Sequence, residues 1–305
     1  MRALVADSSA PGRIALRDVP EPQPAPGEAL VTVRAFSLNR GEMRMLGTAA
    51  DGWRPGWDFA GVLQTDIEHG PRAGARIVGI RHGGAWAERI TVSPEWIAEL
   101  PNTVSFAQAA ALPTAGLTAL RILRLGPAIL GRRVLVTGAS GGVGRFALQL
   151  AHRGGAEVTA LISSNSARSE GLRRLGADSV VSDVEQLRGR FDLILESVGG
   201  QTLGRLVTML DQQGTLVMFG NSSGEITSFN VRDLYLDASI RLQGFELFFG
   251  GDPFGRDLTY LVSLVEGRTL DPQLAGELPW EEMPKPLELL RNRDVAGKIA
   301  LTLGG

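Results

Sequence analysis

The stretch with the most chemical potential is Gly138-Ala139-Ser140-Gly141-Gly142-Val143-Gly144, set between the apolar run Val134 to Thr137 and a helical pattern beginning near Arg145. Read as G-x-S-x-G (Gly138, Ser140, Gly142), it is a strand-turn-helix nucleophile elbow, and His82-Gly83-Gly84 upstream imitates an oxyanion-hole segment. That chemistry needs an acid and then a His after the serine. The one His beyond Ser140 is His152, on the same helix and roughly 18 Å along its axis, out of reach of Ser140 Oγ. Read as a glycine-rich phosphate turn, the same residues let backbone N–H groups and a helix N-terminus approach a pyrophosphate, with Gly141, Gly142 and Gly144 supplying the close approach. Ala139 stands where the first glycine of the dinucleotide fingerprint would be. A glycine-rich connection with no ligand has the same spelling.

A third spelling, T-G-x-x-x-G-x-G (Thr137, Gly138, Gly142, Gly144), is similar to short-chain dehydrogenases, which also need a Tyr-x-x-x-Lys pair. Tyr235 and Tyr260 are followed four residues on by Ser239 and Leu264, so the pair is missing. The second apolar run sharpens the phosphate reading. An NAD site asks for an acidic residue about 20 residues after the turn, at the end of that strand, to hold the ribose 2′-hydroxyl. Here the strand ends Leu161-Ile162-Ser163-Ser164-Asn165 with Arg168 following, and no carboxylate lies between Glu157 and Glu170. Hydroxyls and a guanidinium suit a 2′-phosphate, which a carboxylate would repel. The expected cofactor is NADP(H). Arg168 alone could also be a solvated helix-face charge.

The elements that must carry this turn show in the proline map. Eleven prolines lie at or before Pro127 and five at or after Pro253, leaving residues 128–252 without one, and all five tryptophans lie outside that block. Proline is excluded from helix interiors and central strands. Within the block, apolar runs (Val134 to Thr137, Val158 to Ile162, Ser179 to Ser182, Leu193 to Leu195, Leu216 to Phe219, Ile240 to Phe245) alternate with helical patterns, including one at Leu172 and Leu175. Alternation of this kind predicts βαβ units and a doubly wound parallel sheet. The first flank has shorter strand-like pieces (Ala29 to Ala35, Arg76 to Ile80, Ala87 to Val92) broken by Pro and Gly, which predicts a small β barrel or sandwich. A helix over Pro113 to Leu125 bridges into the block, and the tail strand Ile299 to Leu303 returns to the first flank.

Composition bounds the function classes. The chain has 305 residues, 44% hydrophobic and 21% charged, with 31 basic residues against 33 acidic. A net charge of −2 argues against a nucleic-acid binder. With no Cys there are no disulfides, thiol nucleophiles or thiolate metal sites. His69, His82 and His152 lack metal-ligand spacing. No run approaches 18 uninterrupted apolar residues and the first residues do not read as a secretion signal, so a cytoplasmic location is expected.

Several ordered stretches together resemble one family: Ser37-Leu38-Asn39, Pro55-Gly56-Trp57-Asp58-Phe59-Ala60-Gly61, Gly83-Gly84-Ala85-Trp86-Ala87-Glu88, and Ala109 to Ala119. Gly141 to Gly144, Leu175-Gly176-Ala177-Asp178, Ser197-Val198-Gly199-Gly200, Leu242-Gln243-Gly244-Phe245 and Gly297-Lys298-Ile299 follow. Over its whole length the chain resembles the zinc-independent NADPH:quinone oxidoreductase (zeta-crystallin-like) branch of the medium-chain dehydrogenase/reductase superfamily. The resemblance implies an α/β chain, with a Rossmann doubly wound sheet inserted in a GroES-like β-barrel domain. The expected boundaries are 1–114 (GroES-like, first part), 115–249 (Rossmann) and 250–305 (return to the GroES-like domain). It implies that Asn39 and Thr118 lie near the nicotinamide, and that Ser140 to Gly144 hold the pyrophosphate. Ser163, Ser164 and Arg168 would face the adenosine phosphate, while Val198, Gly220 and Asn221 line the dinucleotide. Phe245 would flank the nicotinamide, and Lys298 would approach the cofactor from the tail. Each has a plainer role too: Val198 and Phe245 as core, Thr118 bonding within its helix, Asn39 closing a turn, Lys298 as a strand-end charge.

Two departures matter. Where zinc-using relatives carry Cys ligands and Gly-His-Glu, this chain has no Cys and reads Gly56-Trp57-Asp58, so no metal is expected. Where quinone reductases often carry Tyr after the Asn, it reads Arg40-Gly41-Glu42-Met43-Arg44, which leaves the acceptor open and puts Arg44 with Asn39 and Phe245 in the expected substrate pocket. The expected activity is metal-free hydride transfer from NADPH to a quinone, or to the C=C bond of an enone or 2-alkenal, with no catalytic acid assigned. A non-catalytic NADPH-binding protein is the competing class. A homodimer through the last Rossmann strand, around Ile240 to Phe249, is also expected, the acceptor being a small molecule.

Overall fold

A computed structural model of the protein describes residues 1–163, 171–235 and 239–304. The chain divides into two compact units, Met1–Leu117 with Gly250–Gly305, and Thr118–Phe249.

The first unit begins with β1 (Arg2–Ala6) and β2 (Ile14–Asp18), paired antiparallel. Next come β3 (Ala29–Ser37), α1 (Arg40–Thr48), β4 (Asp58–Leu63), β5 (Arg76–Ile80), β6 (Arg89–Val92), β7 (Ile97–Glu99) and α2 (Phe106–Ala110). Helix α3 (Pro113–Arg124) leads into the second unit: β8 (Arg133–Thr137), α4 (Gly142–Arg153), β9 (Glu157–Leu161), β10 (Ser179–Val181), β11 (Phe191–Glu196), α5 (Gly200–Val207), β12 (Leu210–Met218), α6 (Arg232–Tyr235) and β13 (Arg241–Gly244). The tail adds α7 (Gly255–Glu266), β14 (Leu274–Pro279), α8 (Lys285–Arg291) and β15 (Lys298–Thr302) to the first unit.

The second unit is a six-stranded sheet in the order β10-β9-β8-β11-β12-β13, with every pairing parallel. Strands such as Val134 to Thr137 and Leu193 to Glu196 are buried throughout, as a parallel sheet covered on both faces requires. The chain lays β8, β9 and β10 outward in one direction and then β11, β12 and β13 in the other, so the order reverses between β8 and β11. Crevices beyond the carboxyl ends of the strands at such a reversal are where α/β sheets take ligands. The helical pattern at Leu172 and Leu175 is not realised: Gly171 (φ 81°) and Gly176 (φ 99°) bracket a run of turns, and four residues between two left-handed positions are too few for a helix.

The first unit holds a seven-stranded sheet, β14-β15-β3-β4-β5-β7 with β6 on β3, to which the tail contributes β14 and β15, beside the separate β1–β2 pair. Its core is aromatic. Trp86 stacks on Phe36 at 5.6 Å between ring centroids, and Trp280 from the tail meets Phe36 edge-on at 6.4 Å. Among the described residues no helix is long and apolar enough to cross a membrane.

Strands β3 and β4 approach unusually closely where the register shifts between Val33 and Ala35. A Cβ on Gly61 would lie 2.2 Å from the carbonyl oxygen of Thr32, a backbone atom that cannot swing aside. Gly61→Ala is therefore expected to destabilise the protein by about 1–3 kcal/mol, read as a lower urea midpoint at unchanged m-value; an unchanged midpoint would show that the strands relax freely.

Candidate functional site

In the second unit, the ends of the two strands flanking the reversal are tied together. Ser197 N donates to Thr137 Oγ1 at 2.8 Å, and that hydroxyl donates to Glu196 Oε1 at 3.3 Å. Glu196 is wholly buried, and its carboxylate accepts from Val198 N at 2.7 Å and from Gly199 N at 3.1 Å. Burial raises its pKa, while these donors act in the opposite direction. The turn after β11 is thus wound around a carboxylate.

The glycine turn after β8 is shaped by close contacts. Gly138 has φ 57°, and a Cβ there would meet Ser197 Oγ at 2.7 Å. A Cβ on Gly144 would lie 2.6 Å from both Gly138 O and Ala139 Cα, so the first turn of α4 packs on the loop only because residue 144 has no side chain. Gly141 N donates to Gly138 O at 2.9 Å, and Ala139 N reaches Leu161 O at the end of β9. Arg145 is buried and bonds Ser140 O through Nε at 3.1 Å. No side chain caps α4 at Gly141, so the N–H groups of its first turn, Gly142 to Gly144, form an anion-receptive cradle.

The sequence-selected residues of this unit cluster along one sheet edge. Ser140 to Gly144 follow β8, exposed Ser163 follows β9, half-buried Val198 follows β11, exposed Gly220 and Asn221 follow β12, and half-buried Phe245 follows β13. All stand beyond carboxyl ends of parallel strands. Asn221 Oδ1 accepts from Gly224 N at 3.2 Å, and Ser223 N donates to Val198 O at 2.8 Å, joining two of these loops. Thr118 is buried within α3. Ser164 and Arg168 lie outside the described residues.

In the first unit, Lys298 and Asn39 come together within a buried polar hub. Strand β15 pairs antiparallel with β3, Ala300 opposite Ser37, so Lys298 just before that pair faces Asn39 just after it. Lys298 is 3% exposed; its ammonium donates to Asn39 Oδ1, to Leu38 O at 3.0 Å and to Asp58 Oδ2 at 3.3 Å. Asp58 also accepts from Ser37 Oγ at 2.7 Å, Asn39 Nδ2 at 2.8 Å, and both N and Oγ1 of Thr114. Glu42, fully buried beside them on α1, accepts from Asn39 N at 2.7 Å and Trp57 N at 2.6 Å. Arg44, two residues on, is exposed.

Sequence reading selected Asn39 and Lys298 but not the hub joining them: Asp58, Glu42, Ser37 and Thr114, nor Glu196 in the other unit. A usable signal was an acid at the end of an otherwise apolar strand, as in Asp58-Phe59-Ala60 and Leu193-Ile194-Leu195-Glu196. Among the described residues no group of three or more His, Cys, Asp or Glu could hold a metal ion.

The hub holds one cation and two carboxyls. Burial first, and Asp58 second, push the Glu42 carboxyl up to about 8, with Lys298 opposing. Because this folded value lies above the ordinary 4.5, the stabilisation is complete below about pH 4.5 and is lost as pH rises toward 8. Wild type should therefore lose stability between pH 6 and 8 relative to Glu42→Gln, by up to about 1.4 kcal/mol per pH unit. Urea unfolding of both proteins across that range tests this, and parallel curves would reject it. Lys298→Met leaves the buried Asp58 carboxyl without its ammonium and should cost about 3–5 kcal/mol by the same measurement; a loss below 1 kcal/mol, taken as about the worth of an exposed pair, would mean that the hub is solvated.

A family model described as zinc-binding dehydrogenase matches residues 142–260. The chain is 29% identical over 262 residues to the probable acrylyl-CoA reductase AcuI of Escherichia coli (strain K12), covering 80% of each protein. It is 30% identical over 300 residues to the spectinabilin polyketide synthase system protein NorB of Streptomyces orinoci, but spans 13% of that protein's length. Among solved structures, the quinone oxidoreductase from Coxiella burnetii superposes with a TM-score of 0.84 at 27% identity, over 100% of this chain and 99% of that one. The yhdH oxidoreductase from Salmonella enterica, solved in complex with NADP, superposes with a TM-score of 0.81 at 26% identity over 100% of both. In these likenesses, and in having a parallel Rossmann sheet in one unit and a mostly antiparallel GroES-like sheet in the other, the chain is similar to oxidoreductases of the medium-chain dehydrogenase/reductase superfamily.

Proposed function

We propose that the protein is an NADPH-dependent reductase of conjugated carbonyl compounds, quinones or enones and enals, working without a metal. The observation that carries this reading is the glycine cradle after β8, at the reversal of the parallel sheet, whose uncapped helix N-terminus suits a pyrophosphate. Its glycines fit the group, since side chains at Gly138 or Gly144 would occupy space already taken by the loop itself. The NADP complex of the Salmonella relative supports the choice of cofactor.

We assign the pyrophosphate to Ser140, Gly141, Gly142, Val143 and Gly144, and the 2′-phosphate to Ser163 with Ser164 and Arg168. Val198, Gly220 and Asn221 serve the rest of the dinucleotide, and Asn39, Thr118, Phe245 and Lys298 the nicotinamide end. When bound, a dihydronicotinamide supplies the hydride equivalent. What this chain's residues do is position and polarise. Lys298 has its ammonium committed to Asn39, Leu38 O and Asp58, so it acts through Asn39. Asn39 Nδ2 gives one hydrogen to Asp58, which leaves its second hydrogen for an acceptor oxygen, and exposed Arg44 supplies positive charge on the same helix. The chain has no Cys, and its hub carboxylate Asp58 is engaged by Lys298, Ser37, Asn39 and Thr114. Both features favour a metal-free reaction. Similarity to a named acrylyl-CoA reductase favours C=C reduction as the second form of the same chemistry.

The test is turnover of NADPH against a panel of quinones, enones and enals. Oxidation by at least one class is expected, with NADPH preferred over NADH by at least about tenfold, or 1.4 kcal/mol. Arg168→Glu should erase most of that preference, and equal losses for both cofactors would count against its phosphate role. Tight NADPH binding with no oxidation on any acceptor would replace the reading with that of a binding protein.

We further propose a homodimer through β13, the last strand of the parallel sheet. Arg241, Gln243 and Gly244 are exposed there, and Phe249 just beyond is 86% exposed. Light scattering should give twice the chain mass; a monomer at micromolar concentration rejects the dimer.

A further inference from the structure

The two arginines of the first unit that lie where β4 begins and β5 ends are unaccounted for by hydride transfer. Asp58 pairs with Ile80 in the antiparallel β4–β5 ladder, so Arg54, before β4, and Arg81, after β5, emerge at the same end of the sheet. The two segments then run side by side. Arg81 N donates to Trp57 O at 2.9 Å, Gly84 N to Arg54 O at 2.9 Å, Ala85 N to Gly56 O at 3.0 Å, and Trp86 N to Pro55 O at 3.3 Å. Gly83 (φ 105°) and Gly84 (φ 76°) make the turn back. A methyl group on Gly84 would lie 3.8 Å from Arg81 Cζ and 4.0 Å from Arg54 Cβ, so the Arg81 guanidinium and the base of the Arg54 side chain flank this one glycine.

Neither guanidinium is neutralised. Both side chains are half-buried, and among the described residues neither makes an ion pair or a side-chain hydrogen bond. Arg54 Nε is sealed from solvent with its N–H unpartnered; among the described residues the other buried side-chain atom in that condition is Trp86 Nε1, on the facing segment. Burial acts against the charge on both, and at Arg81 the charge of Arg54 adds to it. Glu28 acts in the other direction at Arg81, but its Oε2 is taken by Ala25 N at 3.0 Å and it forms no ion pair. His82, beside them, is exposed. Two like charges sharing a partly dry site, with an orphaned donor, are costly unless something anionic joins them.

We propose that Arg54 and Arg81 form a binding site for a phosphoryl group. A carboxylate offers two oxygens and one charge; a phosphoryl group offers three terminal oxygens and up to two charges, which matches two guanidinium forks. The turn at Gly83 and Gly84 contributes space rather than donors, since their N–H groups are already bonded to Arg81 O and Arg54 O. The site stands apart from the dinucleotide cradle in sequence and in unit. It does not depend on the proposed hydride chemistry.

Inorganic phosphate and coenzyme A serve as probes of the full-length protein, with chloride at matched ionic strength as the control. Phosphate should raise the wild-type Tm by at least about 2 °C over chloride, and Arg54→Gln and Arg81→Gln should each lose at least half of that increment. Comparison of variants with wild type removes any response from the cradle at α4, and NADPH titrations of the same variants should give unchanged affinity. Because each Gln variant relieves like-charge repulsion, its Tm in chloride should equal or exceed that of wild type. Should a Gln variant fail to fold, Arg81→Lys keeps the charge but loses the fork, and it should need about tenfold more phosphate for the same increment. Protection by coenzyme A at tenfold lower concentration than phosphate identifies an organic phosphoryl compound as the source; equal potency identifies free phosphate. An increment that is the same in wild type and variants, or that chloride reproduces, overturns the site.

Discussion

The contact on which the first unit depends is the buried ammonium of Lys298 against Asp58. It joins the last strand of the chain to β4 through an ion pair that solvent does not reach. A pair this dry is worth having only if the remaining lone pairs and protons are satisfied, and here they are: Ser37, Asn39 and Thr114 complete Asp58, while Asn39 and Leu38 O complete Lys298. The geometry follows from the β15–β3 register, so pairing the tail out of step by one residue would turn Lys298 to the other face of the sheet and strand Asp58. The hub thereby specifies where the tail docks as well as holding it. Trp280, from the same tail, adds apolar area against Phe36, and the aromatic core and the polar hub require the same return of the chain.

Both units solve a local problem in the same way. At the end of β3, the head of β4, the start of α3 and the end of β11, backbone N–H groups point into the interior, and a buried acidic side chain collects them. Asp58 takes Thr114 N, Glu42 takes Asn39 N and Trp57 N, and Glu196 takes Val198 N and Gly199 N. Glu196 fixes the loop after β11 with no help from a ligand, and Glu42 fixes the start of α1, the helix carrying Arg44. Loops beside a ligand site must hold their shape before the ligand arrives if binding energy is not to be spent on ordering them. Acids that face inward toward backbone donors do this without adding negative charge to the glycine cradle itself.

These features differ in how plainly a sequence carries them. The parallel sheet is legible because strands buried on both faces become unbroken apolar runs, and because proline cannot enter them; β8, β9 and β11 each coincide with such a run. The cradle is legible because Gly144 and Gly138 answer to steric demands that no other residue meets. The hub is not, since Asn39, Glu42, Asp58, Thr114 and Lys298 span nearly the whole chain, and what unites them is the β3–β4–β15 register rather than any spacing. Lys298 does carry a faint mark: it is one of two lysines among 31 basic residues, and the other, Lys285, makes an exposed pair with Glu282. A compact ammonium fits a closed three-acceptor pocket where a planar guanidinium would not. The run at Leu172 and Leu175 misleads for the opposite reason, because apolar spacing suggested a helix that Gly171 and Gly176 prevent.

The hub carboxylate Asp58 and the arginine pair lie at the same end of the β4–β5 ladder and make a useful contrast. At Asp58, on the β4 side of the ladder, the charge is enclosed and every acceptor is used; the cost of burial is met inside the protein. At Arg54 and Arg81, beyond the same end of the ladder, two charges are half-enclosed and one N–H is left over. Nothing in the fold compels arginine there, since a shorter neutral side chain at either place would leave the paired backbone of residues 54–57 and 81–86 intact. Glu42, Asp58 and Glu196 are satisfied inside the fold, whereas these two cations have no ion-pair partner among the described residues, and a bound anion would supply to them what the hub supplies to Lys298.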